Sequence, residues 1–282
     1  MVDKIGNFDV AIIGGGPGGY VAAIRAGQLG LSTVLIEKDP QPGGTCLHRG
    51  CIPTKALLQS AHVIDVARES SYFGISIPSA SVDVPAVLSF QKKVVQKNAK
   101  GVEFLLKKNG ITTVRGHGRL DGLNTIRVVD ENSTEKLVDA KNIILATGSV
   151  PARPGFLDFT NPNIITSDEA LQLDTIPDKV IVLGAGAVGC EFASIFRSFG
   201  SEVVLVELLD RLLPVEDHEC SEELLRSFKK RGIKSRVSTR LESAKASESG
   251  VEVVLAADGA EPETIEADIL LCAVGRKPVT DS

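Results

Sequence analysis

The sequence predicts an α/β protein of two three-layer domains, each a parallel sheet between helices, with β-meander insertions. Three features of the 282 residues predict it. A unit of strand, glycine turn, helix and strand occurs twice, over Phe8–Glu37 and Lys179–Glu207. Its strands are short, almost continuously apolar runs, the pattern of parallel strands buried on both faces. The length suits two ordinary domains, and 43% hydrophobic against 24% charged residues leaves each a core of its own. Pro151 and Pro154 follow Ala146-Thr147-Gly148-Ser149 and mark a linker, so the expected domains are residues 1–149 and 150–282.

Composition excludes several classes of function. The net charge of −5, without a basic block or interleaved aromatics, argues against a nucleic-acid partner. No apolar stretch reaches the roughly 20 residues that span a bilayer. The N-terminus runs straight into a strand and carries no leader pattern, so no signal peptide is expected. Five cysteines without zinc-like spacing point to no metal site. In a reducing compartment a disulfide is more often catalytic than structural.

Phe8–Ile13 reads as the first strand. Gly14-Gly-Gly16-Pro-Gly-Gly19 follows as a G-x-G-x-x-G turn, then a helix over Tyr20–Leu29 and a strand over Thr33–Ile36 that Glu37 closes. This is the dinucleotide fingerprint of a Rossmann-like fold in its required context. Gly14 permits the tight turn, Gly16 lets the backbone approach a pyrophosphate, and Gly19 brings helix against strand. Glu37, twenty-three residues after Gly14, is placed to accept hydrogen bonds from a ribose.

The stretch GGTCLHRGCIPTKALL (43–58) holds Cys46 and Cys51, five residues apart, where a loop enters a helix. A helix start offers unpaired N–H groups and partial positive charge, which favour a thiolate. Pro53 suits a first helical turn. A disulfide here closes too small a loop to staple a fold. On spacing alone, two buried cysteines or a minor structural bridge stay open beside a redox pair.

Asp83–Asn109 reads as a long helix with Pro85 near its start and Gly110 after its end, its lysines forming a solvated face. Residues 111–145 read as a β-meander of Ile111–Val114, Thr125–Val129 and Ile143–Leu145, with His117 in a loop. The second unit then comprises a strand over Lys179–Leu183, the turn Gly184-Ala-Gly186-Ala-Val-Gly189, a helix over Cys190–Phe199 and a strand over Ser201–Val206 ended by Glu207. An acid there favours a free 2′-hydroxyl, hence NAD over NADP, with Arg211 nearby. Two dinucleotide cradles with a cysteine pair between them imply an electron relay.

The motifs GGGPGG (14–19), GGTCLHRGCIPTKALL (43–58), ATGS (146–149), GAGAVGCEFA (184–193) and AVGRKP (273–278) resemble, in order and over nearly the whole chain, the pyridine nucleotide–disulfide oxidoreductases of the glutathione reductase class, and among them the dihydrolipoyl dehydrogenase branch most. The resemblance implies FAD on the first fingerprint and NAD on the second. It makes Cys51 the flavin-side thiol, Cys46 the interchange thiol, Lys55 the lysine beside the flavin and Glu191 its carboxylate partner; two ordinary surface charges are the alternative for that pair. It implies FAD contacts at Gly118, Thr147 and Gly148, an NAD contact at Gly275, and further cofactor contacts at Lys38, Gly44, Thr45, Lys55, Ser149 and Val188. Cys190, Cys220 and Cys272 are expected bystanders. The implied reaction is oxidation of protein-bound dihydrolipoamide, on lipoyl-bearing acyltransferase subunits of 2-oxo acid dehydrogenase complexes or the glycine cleavage system, by a cytoplasmic homodimer.

The sequence departs from the family pattern in three places. His48-Arg49 replaces the usual Asn-Val and leaves substrate choice open, and Thr54 replaces Ser. The chain ends soon after AVGRKP, ahead of the family's returning FAD segment and its dimerisation domain with the His–Glu base. The expectation is low turnover, since a positioned general base contributes about 10²–10⁴ in rate. The alternatives are a turnover-deficient FAD/NAD-binding module and a mercuric or glutathione reductase; the acid at Glu207 disfavours the NADPH-dependent members.

Overall fold

The computed structural model describes residues 3–280 apart from Ser249 and Asp258. Its first strand, β1 (Asp3–Ile13), lies inside a six-stranded sheet. Then come α1 (Pro17–Gln28), β2 (Thr33–Glu37), α2 (Gly44–Arg49), α3 (Cys51–Arg68) and α4 (Val84–Lys108). Next are β3 (Thr112–Arg115), β4 (His117–Leu120), β5 (Thr125–Val129) and β6 (Glu135–Leu145), giving the order β3-β2-β1-β6-β5-β4. β1 pairs parallel with β2 and β6, and β2 with β3, whereas β4, β5 and β6 pair antiparallel.

Val34, Leu35, Ala11 and Ile12 are fully buried, as strands covered on both faces require. Each large side chain of that kind contributes about 1.5–3 kcal/mol by burial. The start of β1, Asp3–Asn7, has Ile5 as its one large apolar side chain and so no strand pattern, yet it pairs with β6 across a bulge between Lys4 and Gly6. α4 starts where Asp83 Oδ1 accepts the Ala86 N–H at 3.0 Å, and it gives way to Gly110 at φ +69°.

The meander is shorter than the sequence predicts. Residues 112–115 form the parallel edge strand beside β2, Ile36 opposite Val114, because the helices before them return the chain as a crossover and not as a hairpin. Only β4–β6 form the meander, burying Ile126, Val128 and Val138. His117 is no loop residue: it lies in β4 opposite Val129, its side chain exposed.

Asp9 ties three segments together. Its Oδ1 accepts from Lys141 Nζ at 2.7 Å, and its Oδ2 from the Ser32 N–H and Oγ at 2.9 and 2.7 Å. The Lys141 hydrogen bond first, then Ser32, lowers the Asp9 pKa from 3.8 to about 2. A carboxyl more acidic in the folded state stabilises fully above its unfolded pKa and loses that contribution as pH falls through the folded one. Asp9→Asn is therefore expected to flatten the fall of Tm between about pH 4 and pH 2, measured by thermal melts at each pH. Parallel acid limbs in the two proteins would remove that role.

The second half contains β7 (Ser149–Pro151), β8 (Ile164–Thr166), α5 (Ser167–Ala170), β9 (Lys179–Leu183), α6 (Ala187–Phe199), β10 (Glu202–Val206), α7 (His218–Arg231) and β11 (Lys234–Arg236). β12 (Thr239–Ser247), β13 (Gly250–Ala257), β14 (Glu263–Ala267), β15 (Ile269–Cys272) and β16 (Arg276–Pro278) follow. A five-stranded parallel sheet has the order β11-β10-β9-β15-β8, and β12-β13-β14 is a three-stranded antiparallel sheet. Packing divides the chain into two units: Met1–Pro53 with Lys92–Val150 and the segment from Pro278, and Thr54–Gln91 with Pro151–Lys277. The division differs from the linker at 149/150 because Leu57 of α3 is buried with Phe192, Ile195 and Phe196 of α6, and Leu58 and Val87 pack on the same cluster.

Candidate active site

The two glycine turns have the same construction. Gly14 at φ +104° and Gly184 at +100° take a conformation that side chains disfavour. Their N–H groups donate to Ile36 O and Val206 O, each at 2.8 Å. Gly16 and Gly186 cap α1 and α6 with φ −69° in both. A Cβ on Gly19 would lie 1.7 Å from Gly14 O, and one on Gly189 1.9 Å from Gly184 O, so the helix can seat only on glycine.

The acids match as well. Glu37 Oε2 accepts the Gly15 N–H at 2.6 Å and Oε1 the Asp39 N–H at 2.8 Å. Glu207 Oε2 accepts the Ala185 N–H at 2.7 Å and Oε1 the Leu209 N–H at 2.9 Å. Each carboxylate is fixed at the mouth of its turn. Ala146 and Ala273 close the two turns from the neighbouring strand, donating N–H to Ile13 O at 2.8 Å and Leu183 O at 2.7 Å. The sequence reading missed that repeat because alanine in ATGS and AVGR carries no signal of its own.

A helix N-terminus with a glycine cap is an anion cradle when the space before it is open. A Cβ on Gly186 would meet nothing within 4 Å, and one on Gly16 only Gly44 Cα at 3.8 Å. The backbone at both turns is therefore open to a pyrophosphate, with an acid beside it for a ribose, and the residues present fit a dinucleotide at each. Gly118 is buried in β4 against Ile36 and Ile13, the residues that lead into Glu37 and Gly14. Thr147 Oγ1 donates to Val279 O at 2.6 Å, Gly148 O accepts the Val279 N–H at 3.0 Å, and Thr45 Oγ1 donates to Ser149 O at 3.3 Å. Lys38 and Val188 are exposed, and Gly275 has φ +128°.

The cysteine segment sits on the first turn. Gly43 and Gly44 take φ +131° and +57°, and a Cβ on Gly44 would lie 2.6 Å from Gly16 Cα, so two glycines meet backbone to backbone. Cys46 does not lie in a loop: it is on the six-residue α2, which Gly50 ends, and Cys51 is the first residue of α3. That short helix left no periodic signal in the sequence. Cys46 is half-buried and Cys51 exposed. In the other unit, Lys55 Nζ on α3 and Glu191 Oε1 on α6 are 2.5 Å apart across 136 positions, the contact that the family resemblance implies. Burial pushes the Cys190 thiol up to about 12, helped by Glu207, and burial raises Cys272 too, which leaves both inert as nucleophiles. Among the described residues no cluster of three or more His, Cys, Asp or Glu could hold a metal ion.

A family profile described as pyridine nucleotide-disulphide oxidoreductase matches residues 8–282. The chain belongs to that family. It is 44% identical over 274 residues to a dihydrolipoyl dehydrogenase of Chlorobaculum parvum, covering 97% of this chain and 58% of that protein. It is 42% identical over 275 residues to the mitochondrial dihydrolipoyl dehydrogenase 1 of Arabidopsis thaliana, covering 96% of this chain and 54% of that one. Among solved structures it is similar to the Cu(II) complex of the HOCl-induced flavoprotein disulfide reductase RclA from Escherichia coli, with TM-score 0.81 and 25% identity over 98% of this chain and 58% of that chain. The chain thus spans a little over half the length of the relatives it matches. Arg49 and Asp39 form a contact that sequence reasoning did not find, Nη2 to Oδ2 at 2.6 Å.

Proposed function

We propose that the chain performs the redox chemistry of an FAD- and NAD-dependent disulfide oxidoreductase of the dihydrolipoyl dehydrogenase kind. The observation that carries the reading is that the segment bearing Cys46 and Cys51 packs on one of two matching dinucleotide cradles, Gly44 against Gly16 and the Gly43 N–H on Gly15 O. FAD belongs on Gly14, Gly16, Gly19 and Glu37, and NAD on Gly184, Gly186, Gly189 and Glu207. Arg211 Nη2 donates to Pro214 O at 3.0 Å and is held in its own loop, while Glu207 is buried at the turn, which favours NAD over NADP. When bound, FAD supplies the two-electron link between the cysteine pair and the pyridine nucleotide.

The residues of the chain divide the remaining work. With the pair oxidised, a dihydrolipoyl thiolate attacks Cys46 Sγ, a mixed disulfide forms, and Cys51 leaves as thiolate from the first turn of α3. The second lipoyl thiol loses its proton and attacks the lipoyl sulfur of the mixed disulfide, which releases Cys46 as a thiolate and closes the lipoyl disulfide. Two electrons have passed to the pair and two protons have been released. Lys55, oriented by Glu191, supplies a positive charge. The reading implies lipoyl-bearing acyltransferase subunits as partners, a homodimer and a cytoplasmic location.

The test is a visible spectrum of the FAD-loaded chain during anaerobic titration with dithiol or NADH. A long-wavelength charge-transfer band at the two-electron stage is expected, from the Cys51 thiolate against oxidised flavin. Bleaching without that band, or no uptake of FAD at all, would overturn the reading.

A further inference from the structure

The segment from Glu37 to Gly50 links the acid of the first cradle to the helix that carries Cys46, through side chains to which the sulfur chemistry gives no part. Arg49 donates to Asp39 at 2.6 Å, and the Asp39 N–H donates to Glu37, whose other oxygen accepts from the Gly15 N–H of the glycine turn. His48 Nε2 lies 3.0 Å from Pro42 O, and the Gly43 N–H donates to Gly15 O at 2.7 Å. A Cβ on Gly43 would come within 2.8 Å of Leu47 and 3.0 Å of His48, so the loop and α2 are in close contact.

α2 has six residues, and isolated helices shorter than ~12–15 are marginal in water. Its order comes from what holds its ends: Gly44 against Gly16 at the start, and His48 and Arg49 on the 38–43 loop at the finish. A ligand that engages the glycine turn and Glu37 grips the same frame. Cys46 lies between the two anchor points.

We infer that His48 and Arg49 are positioning residues that clamp α2 to the 38–43 loop, so that an adenosine diphosphate moiety on the first glycine turn sets the accessibility of Cys46. The inference rests on the reading of that turn as a dinucleotide cradle. Linkage is reciprocal: the factor by which the ligand tightens the clamp is the factor by which the clamp raises affinity for the ligand. Arg49 and Asp39 are 42% and 23% exposed, which limits the pair to about a threefold effect.

The experiment follows alkylation of Cys46 by iodoacetamide in the reduced chain, read by mass mapping with and without ADP, alongside calorimetry of ADP binding. ADP is expected to slow Cys46 labelling in the native sequence. Arg49→Ala and Asp39→Asn are each expected to label about threefold faster without ADP and to bind ADP about threefold more weakly. The double variant should be no worse than either single one, and Arg49→Lys should restore both readouts, which loss of stability alone would not produce. Native labelling rates and ADP affinity in both single variants would overturn the clamp. Absence of ADP binding to the native chain would overturn the cradle reading, and the labelling rates without ADP would then decide the clamp alone.

Discussion

On the function proposed above, replacing either cysteine of the pair is expected to lower whatever NADH-linked reduction of lipoamide the FAD-loaded chain carries out by on the order of 10³ or more, because thiol–disulfide exchange needs two sulfurs and a serine hydroxyl supplies none. The two variants should then part company. Cys46 is half-buried on α2 and Cys51 opens α3. In Cys46→Ser, Cys51 has no intramolecular partner for a disulfide, stays reduced and should give the long-wavelength band before any reductant is added. In Cys51→Ser the band should be absent at every stage of the titration. Cys190→Ser is the control: burial and a pKa of about 12 keep that thiol silent, so spectrum and turnover should match the native chain. A band in Cys51→Ser, or identical spectra from the two variants, would reverse or remove the division of roles.

The parts of this site that the sequence displays are those that backbone geometry makes obligatory. Gly14 and Gly184 have φ values near +100°, and Gly19 and Gly189 face a carbonyl oxygen at less than 2 Å from where a Cβ would stand, so these positions read directly as glycine. Glu37 and Glu207 follow at fixed spacing because a parallel strand must end beside the turn. The pairing of Lys55 with Glu191 was legible from the family motif alone, since no local pattern links residues on two helices. Other features were silent for physical reasons. α2 is too short for a hydrophobic period, so Cys46 looked like a loop residue. β3 looked like part of a meander because a short edge strand has the same alternation whether its partner is parallel or antiparallel. The boundary at 149/150 followed the prolines, whereas packing assigned residues 54–91 by the apolar contacts of Leu57, which no linker composition records. His48 and Arg49 differed from the family's usual pair, but their partners, Pro42 and Asp39, became visible only with the turn folded.

Two alanine substitutions in one glycine turn should separate holding the fold from holding the ligand. In Gly189→Ala the new Cβ would stand 1.9 Å from Gly184 O, where real Cβ atoms are not found under 3.0 Å, so α6 must move off β9. Overpacking of this kind costs about 1–3 kcal/mol. For a domain of this size that lowers Tm by about 2–4 °C per kcal/mol, and NAD affinity should fall with it. In Gly186→Ala the backbone is unstrained at φ −69° and the Cβ meets nothing within 4 Å, so the fold has no reason to change. The methyl would instead fill the space through which a pyrophosphate approaches the start of α6, and NAD should bind about tenfold or more weakly at an unchanged Tm. The corresponding pair at the first turn, Gly19→Ala and Gly16→Ala, should repeat the pattern for FAD, with Gly16→Ala the less silent because Gly44 Cα lies 3.8 Å from its Cβ. NAD affinity is read by fluorescence titration and Tm by calorimetry on the same samples. Equal losses of Tm in Gly186→Ala and Gly189→Ala would mean that both glycines serve packing alone. Native NAD affinity in Gly186→Ala would mean that the second cradle does not seat its ligand on the N-terminus of α6.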